Sequence, residues 1–166
     1  MMAAETSEPG MAWLIYALMT VCCWGVYGVL LHTGVMSMGD PVNGRFKAFL
    51  FVGIAYLFAA VIGSCIILYF NGASFTFPAK GMAWSTIAGV AGALGALGIL
   101  LAFSAKGMPS VVMSLVFAGA PIVNAFVAMA AHPPAGGLAA VRWPFVLGIC
   151  MAAAGGALVT FFRPGS

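Results

Sequence analysis

Ionisable side chains are nearly missing from this sequence. Of its 166 residues, 5% are Asp, Glu, Lys or Arg, where a soluble domain carries about a quarter. A chain so poor in charge cannot cover its own surface with polar groups, so a water-soluble fold is excluded. The six basic residues are scattered and leave a net charge of +3. That excludes a nucleic-acid footprint, which needs basic residues gathered on one face. The acidic residues Glu5, Glu8 and Asp40 all fall in polar flanks or loops. No carboxylate therefore stands at membrane depth, where a proton-coupled pump would carry one. His32 and His132 end different apolar segments, and neither has a carboxylate beside it in sequence. Nucleophilic or metal-assisted catalysis needs a base and its orienter in one neighbourhood, so an enzyme is the poorest fit. Cys22, Cys23, Cys65 and Cys150 lie inside apolar runs, where thiols behave as small hydrophobes. The adjacent Cys22 and Cys23 lack a nearby His or third thiol, and neither a metal site nor a cofactor is expected.

What the chain has in abundance is apolar surface: 64% of its residues are hydrophobic and its mean hydropathy is +1.14. A transmembrane helix takes about 20 residues, and five segments are long enough, at about 11–31, 47–70, 81–104, 109–131 and 143–162. Each is followed by a breaker: His32-Thr33-Gly34, Asn71-Gly72, Lys106-Gly107, His132-Pro133-Pro134 and Arg163-Pro164. None alternates polar with apolar as a barrel strand would, and an open sheet would leave amides unpaired in lipid. The expected fold is all-α, a polytopic membrane protein of five transmembrane helices over residues 11–163, preceded by a polar tail at 1–10. That tail holds Glu5 and Glu8 and no basic residue. A signal peptide opens with a basic region, so the first apolar segment is expected to stay in the mature chain.

Flanking charges assign the sides. Arg45, Lys47, Lys106 and Arg163 fall on one side and Lys80 and Arg142 on the other, so the positive-inside rule places the N-terminus outside and the C-terminus in the cytoplasm. Trp13, Trp84, Trp143 and Tyr69 sit near the segment ends, as interfacial anchors do. Only Ala105, Lys106, Gly107 and Met108 separate the third and fourth segments. Gly107 is placed to end one helix and Pro109 to begin the next, which predicts an antiparallel hairpin. The 32–46 stretch holds Gly34, Gly39-Asp40-Pro41 and Asn43-Gly44, all turn signals. It reads as a solvated connector, with a lid as the alternative. Residues 71–78 alternate Phe75 and Phe77 with Ser74 and Thr76 and are placed at the interface.

Helices meet in lipid through small residues that let backbones approach. The third segment carries Gly89, Gly92, Gly95 and Gly98 with alanines between them, and is expected in the middle of the bundle. The fifth repeats the device in Gly148, Ala152 and Gly156, with Gly155 beside them. In the fourth, Pro121 removes an amide donor near the centre, frees the Phe117 carbonyl and predicts a kink. Ser110, Ser114, Phe117, Pro121, Asn124 and Ala128 share one face there. Two readings of Asn124 are open: it lines a wet cavity, or it hydrogen-bonds a neighbouring helix. In the first segment Tyr16, Thr20, Cys23 and Tyr27 recur at helical spacing, with Trp13 before them and Trp24 alongside. That stripe suits a pocket for an organic cation or a flat apolar solute, or else aromatic packing against neighbours.

Trp24-Gly25, the hairpin running from Leu101 through Lys106-Gly107-Met108-Pro109 to Ser110, Pro121 and the glycine-rich fifth segment together carry a likeness. On these the chain, over about 11–162, resembles one five-helix EamA-like unit of the drug/metabolite transporter superfamily. The resemblance implies half of an inverted-repeat transporter fold, in which two units related by an inverted two-fold enclose the substrate path. An odd number of spans puts the two ends of the unit on opposite sides. A homodimer of inverted copies, a heterodimer with a paralogue, or a larger membrane complex is therefore expected. The resemblance further implies a permease for an organic solute in a bacterial inner (plasma) membrane. Its path would be lined by Tyr16, Thr20, Trp24, Tyr27, Ser114, Phe117, Pro121 and Asn124. Small four-helix relatives use a membrane carboxylate in the first helix, and the matching region here offers Tyr16, Thr20 and Cys23 instead, which argues against drug/proton antiport. The other class of function is a scaffold or accessory subunit that uses the fold only to pack against membrane partners. Transport predicts a polar cavity between the first, third and fourth helices that reaches Asn124. A scaffold predicts those residues dry and the glycine faces docked on a partner.

Overall fold

The computed structural model describes residues 11–163, apart from the side chains of 138 and 139; the polar tail at 1–10 lies outside the described residues. Among these residues the chain is helical and contains no strand. Five helices are long and apolar enough to cross a membrane: α1 (Ala12–Ser37), α2 (Gly44–Phe70), α3 (Ala79–Ser104), α4 (Pro109–Ala131) and α5 (Trp143–Phe161). Even α5, with 19 residues, rises about 28 Å, close to the hydrocarbon thickness of a bilayer. The chain exposes 12885 Å², whereas a compact soluble protein of 17.0 kDa exposes roughly 7,700 Å². Helices that are apolar all round and this little buried belong in lipid. The protein is an integral membrane protein.

Local chemistry sets the helix ends. α1 runs on to Ser37, past the stop expected at 32–34. The Thr33 hydroxyl donates to the Val29 carbonyl at 2.9 Å and the Ser37 hydroxyl to the Thr33 carbonyl at 2.8 Å. These groups bond inside the helix instead of ending it. The turn glycine is Gly39, with φ 63. The connector thus shrinks from the expected 32–46 to 38–43, a tight turn with no room for a lid. α2 has a π-helical stretch at Leu57–Ile62 that no sequence signal announced.

Two helices end in the same left-handed cap. After α2, Gly72 adopts φ 62; the Ala73 amide donates to Leu68 and the Gly72 amide to Tyr69, at 3.0 and 3.1 Å. After α3 the left-handed residue is Lys106, at φ 67, with Gly107 donating to Ala102 at 2.9 Å and Lys106 to Phe103 at 3.1 Å. The sequence reading gave the terminating role to Gly107. It is needed one position later for a different reason: a Cβ there would sit 2.7 Å from both the Ala102 oxygen and Val112 Cγ2. The α3–α4 hairpin closes over that contact.

The core lies at one end of the bundle. Leu31, Ala48, Ile99, Leu100, Phe103 and Met113 form it, with Trp24, Tyr27, Val35, Phe49 and Val116 packed against it. These positions are the end of α1, the start of α2, the end of α3 and the start of α4, so the 38–43 turn and the 105–108 hairpin cap the same, packed end. α1 and α4 cross at Gly28, where a Cβ would run into the Met113 side chain. The opposite, open end holds Met11 and the 71–78 and 132–142 connections. Trp13, Trp84, Trp143 and Tyr69 all stand there, each exposed.

The third span packs on α1, α2 and α4, as expected of a central helix, but only through one end. Every α3 residue from Ala79 to Gly95 is exposed and only its last turns are buried. Within one chain, a Cβ built at Gly89, Gly92, Gly95 or Gly98 meets nothing within 4 Å. A glycine face gains only when another backbone approaches it, and here the neighbouring helices converge beyond it. α5 packs on α4 alone among the described residues. Gly156 is the close contact, its Cβ position 2.7 Å from the Ala118 methyl; Gly148 meets nothing, and Ala152 is half-buried.

Two sets of variants test this packing. Relief of the left-handed strain predicts that Lys106→Gly stabilises the protein by about 1 kcal/mol, while Gly107→Ala destabilises it by about 1–3 kcal/mol. Reversible unfolding in mixed micelles reads both signs. Gly156→Val should destabilise by a similar 1–3 kcal/mol or so, whereas Gly92→Val should leave unfolding of the single chain unchanged.

Candidate functional site

The stripes singled out on α1 and α4 leave the α1–α4 crossing towards the open end. Near the crossing they are partly packed: Trp24 and Tyr27 are half-buried, with ring centroids 5.5 Å apart, and Ser114 is half-buried on α4. Farther out they are not enclosed. Tyr16, Thr20, Phe117, Pro121 and Asn124 are exposed. The Thr20 hydroxyl donates to the Tyr16 carbonyl at 3.0 Å and the Ser114 hydroxyl to the Ser110 carbonyl at 2.7 Å, which leaves each oxygen free to accept. α4 continues unbroken through Pro121. Among the described residues no hydrogen bond involves the Asn124 side-chain amide, while its backbone lies within the α4 ladder. Asn124 lies about 10 Å inside the end of α4 at 1.5 Å per residue, within a helix long and apolar enough to cross a membrane. Among the described residues of one chain the outer part of this stripe is therefore neither enclosed nor buried.

Two of the hollows beside the core differ in character. One is an apolar groove of about 300 Å³ between α1 and α2, lined by Tyr27, Leu30, Gly34, Phe51, Val52 and Ala55 among others. The Tyr27 hydroxyl is buried beside it without a partner among the described residues. The other is a partly enclosed cavity of about 430 Å³ at the packed end, lined by His32, Val35, Met36, Gly39, Asp40, Pro41, Arg45, Phe103 and Ser104. Sequence reading missed this second site because it placed His32, Asp40 and Arg45 in a solvated loop. The signal available was their spacing: all three flank one short turn in the most basic stretch of the chain.

Asp40 organises that turn. Its Oδ1 accepts the amides of Val42 and Asn43 at 3.0 and 2.8 Å, and its Oδ2 accepts Lys47 Nζ at 2.7 Å. The Lys47 ammonium, then the Asn43 amide, draw the Asp40 carboxyl down to about 2. No cluster of three His, Cys, Asp or Glu that would hold a metal ion occurs among the described residues. No family model, no curated protein and no solved structure matches the chain.

The direction of the Asp40 shift fixes a pH dependence. A lowered folded-state carboxyl stabilises the turn fully above the ordinary carboxylate range, near 4, and the effect is lost as pH falls through about 2. Amide-exchange protection at Val42 and Asn43, corrected for intrinsic rates, should therefore stay level from pH 8 to pH 5 and collapse towards pH 2. Asp40→Ala should abolish it throughout, with α4 protection retained.

Proposed function

We propose that the chain is a permease subunit completed when a second unit of the same kind covers its open face, and that the joined units move an organic solute across the membrane. The observation that carries this reading is the placement of Asn124. An amide moved from water into hydrocarbon without a partner costs roughly 4–8 kcal/mol, yet this one is exposed at membrane depth. A lone chain in lipid would bear that cost. A second unit set against the same face removes it, and encloses Tyr16, Thr20 and Asn124 in a shared, partly polar space.

The unpartnered glycines of α3 support the same arrangement, since Gly89, Gly92 and Gly95 are open to close approach by another helix. Aromatic faces and neutral hydroxyl and amide groups suit an organic cation or a flat apolar solute. Arg45, Lys47, Lys106 and Arg163 stand at the packed end and Lys80 and Arg142 at the other, a bias towards a cytoplasmic packed end that is small enough to admit a second unit inserted the other way round. The resemblance to a five-helix EamA-like unit supports an inverted pairing.

Liposome uptake of a panel of quaternary ammonium and flat aromatic solutes tests the reading. Asn124→Leu and Tyr16→Ala should each lower uptake about tenfold, the loss of roughly one hydrogen bond or stacking contact, while Ile67→Ala on α2 leaves it unchanged. Uptake by both stripe variants equal to wild type would refute the path. Stable pairing with no uptake of any solute would favour the scaffold.

A further inference from the structure

The cavity at the packed end is lined by a guanidinium that forms no ion pair among the described residues. Arg45 lines it, and its buried Nε has no hydrogen-bond partner among the described residues, a state rarely left unrelieved in a folded protein. The guanidinium is steadied from one side by the Phe46 ring, 4.9 Å from Cζ to centroid. Asp40 is the carboxylate in the same wall, but both its oxygens are committed, to the turn amides and to Lys47 at 2.7 Å. Lys47 thereby offsets the one negative charge there. His32 stands edge-on to Phe103 at 5.4 Å, and Ser104 donates to the Leu100 carbonyl at 2.9 Å, leaving its oxygen as an acceptor. Val35, Met36, Pro41 and Phe103 supply an apolar wall.

We propose that this cavity binds a phosphate-bearing ligand through the Arg45 guanidinium, with His32 as the second donor. A guanidinium presents paired N–H groups that match phosphate oxygens, and that of Arg45 lines the cavity while the side chain as a whole is half-buried. At about 430 Å³ the hollow is far larger than a bare phosphate and fits an ester of it. Its place between helices at the headgroup level, with an apolar wall at hand, favours the headgroup of an anionic phospholipid. A soluble phosphate monoester carries the same chemistry and is the other source. The proposal stands apart from transport, because it uses no residue of the α1–α4 stripe.

Native mass spectrometry of the full chain released from nanodiscs tests it. The lipid is phosphatidylcholine alone, phosphatidylcholine with phosphatidylglycerol, or the mixture with added sn-glycerol 3-phosphate. Wild type should retain phosphatidylglycerol in preference to phosphatidylcholine. Arg45→Gln should lower that retention about tenfold and His32→Gln severalfold; Arg45→Lys should keep part of it, and Arg142→Gln at the open end all of it. Displacement of the lipid by glycerol phosphate would assign the site to a soluble ester, with the same two residues. Full retention in both Arg45→Gln and His32→Gln, or an equal loss in Arg142→Gln, would overturn the proposal. Unchanged helical content by circular dichroism separates lost binding from lost folding, and His32→Gln carries the test if Arg45→Gln does not fold.

Discussion

Hydrocarbon offers nothing to a polar group, and it offers an apolar helix no reason to leave lipid for another apolar helix. Association in a membrane must come from close packing at small residues and from hydrogen bonds that lipid cannot supply. Both lie unevenly along this bundle. Gly28 against Met113, Gly107 under Val112 and the Asp40 turn draw four helices together at the packed end. Beyond that end Gly89, Gly92 and Gly95 face no backbone, and the exposed Asn124 side chain finds no partner, among the described residues.

The uneven packing distributes stiffness. At the packed end the turn is clamped by a charge-assisted bond and the hairpin is closed by a left-handed cap, so α1, α2, α3 and α4 share one anchored end. Among the described residues α5 is held by α4 alone, and the π-helical stretch at Leu57–Ile62 interrupts α2 on its exposed length. π-bulges recur at functional sites within helices. A bundle anchored at one end leaves its other end open to be shaped by whatever packs there.

Much of the fold was legible because lipid imposes a coarse rule. An apolar run of sufficient length with a breaker beyond it is a span, and α4 begins at Pro109 and ends at Ala131 as the sequence implies. What failed were inferences from single residues whose meaning depends on context. Thr33 and Gly34 look like a stop, yet a helix absorbs a threonine by bonding its hydroxyl backwards and tolerates a glycine at small cost. Gly107 looks like the left-handed cap, but that role falls to Lys106 because Gly107 is wanted for clearance. The glycines of α3 announce close packing without saying whether the partner belongs to the same chain. The cavity around His32 and Arg45 was hidden for a related reason: once α1 is cut short at residue 31, its lining residues no longer share a wall.

Subunit counting by stepwise photobleaching, with the protein at high dilution in lipid nanodiscs, addresses the central claim most directly. If the open face has to be covered by a second unit, two copies per particle persist as lipid is added in excess. A single copy at every dilution, folded and with Asn124 facing lipid, would contradict the account.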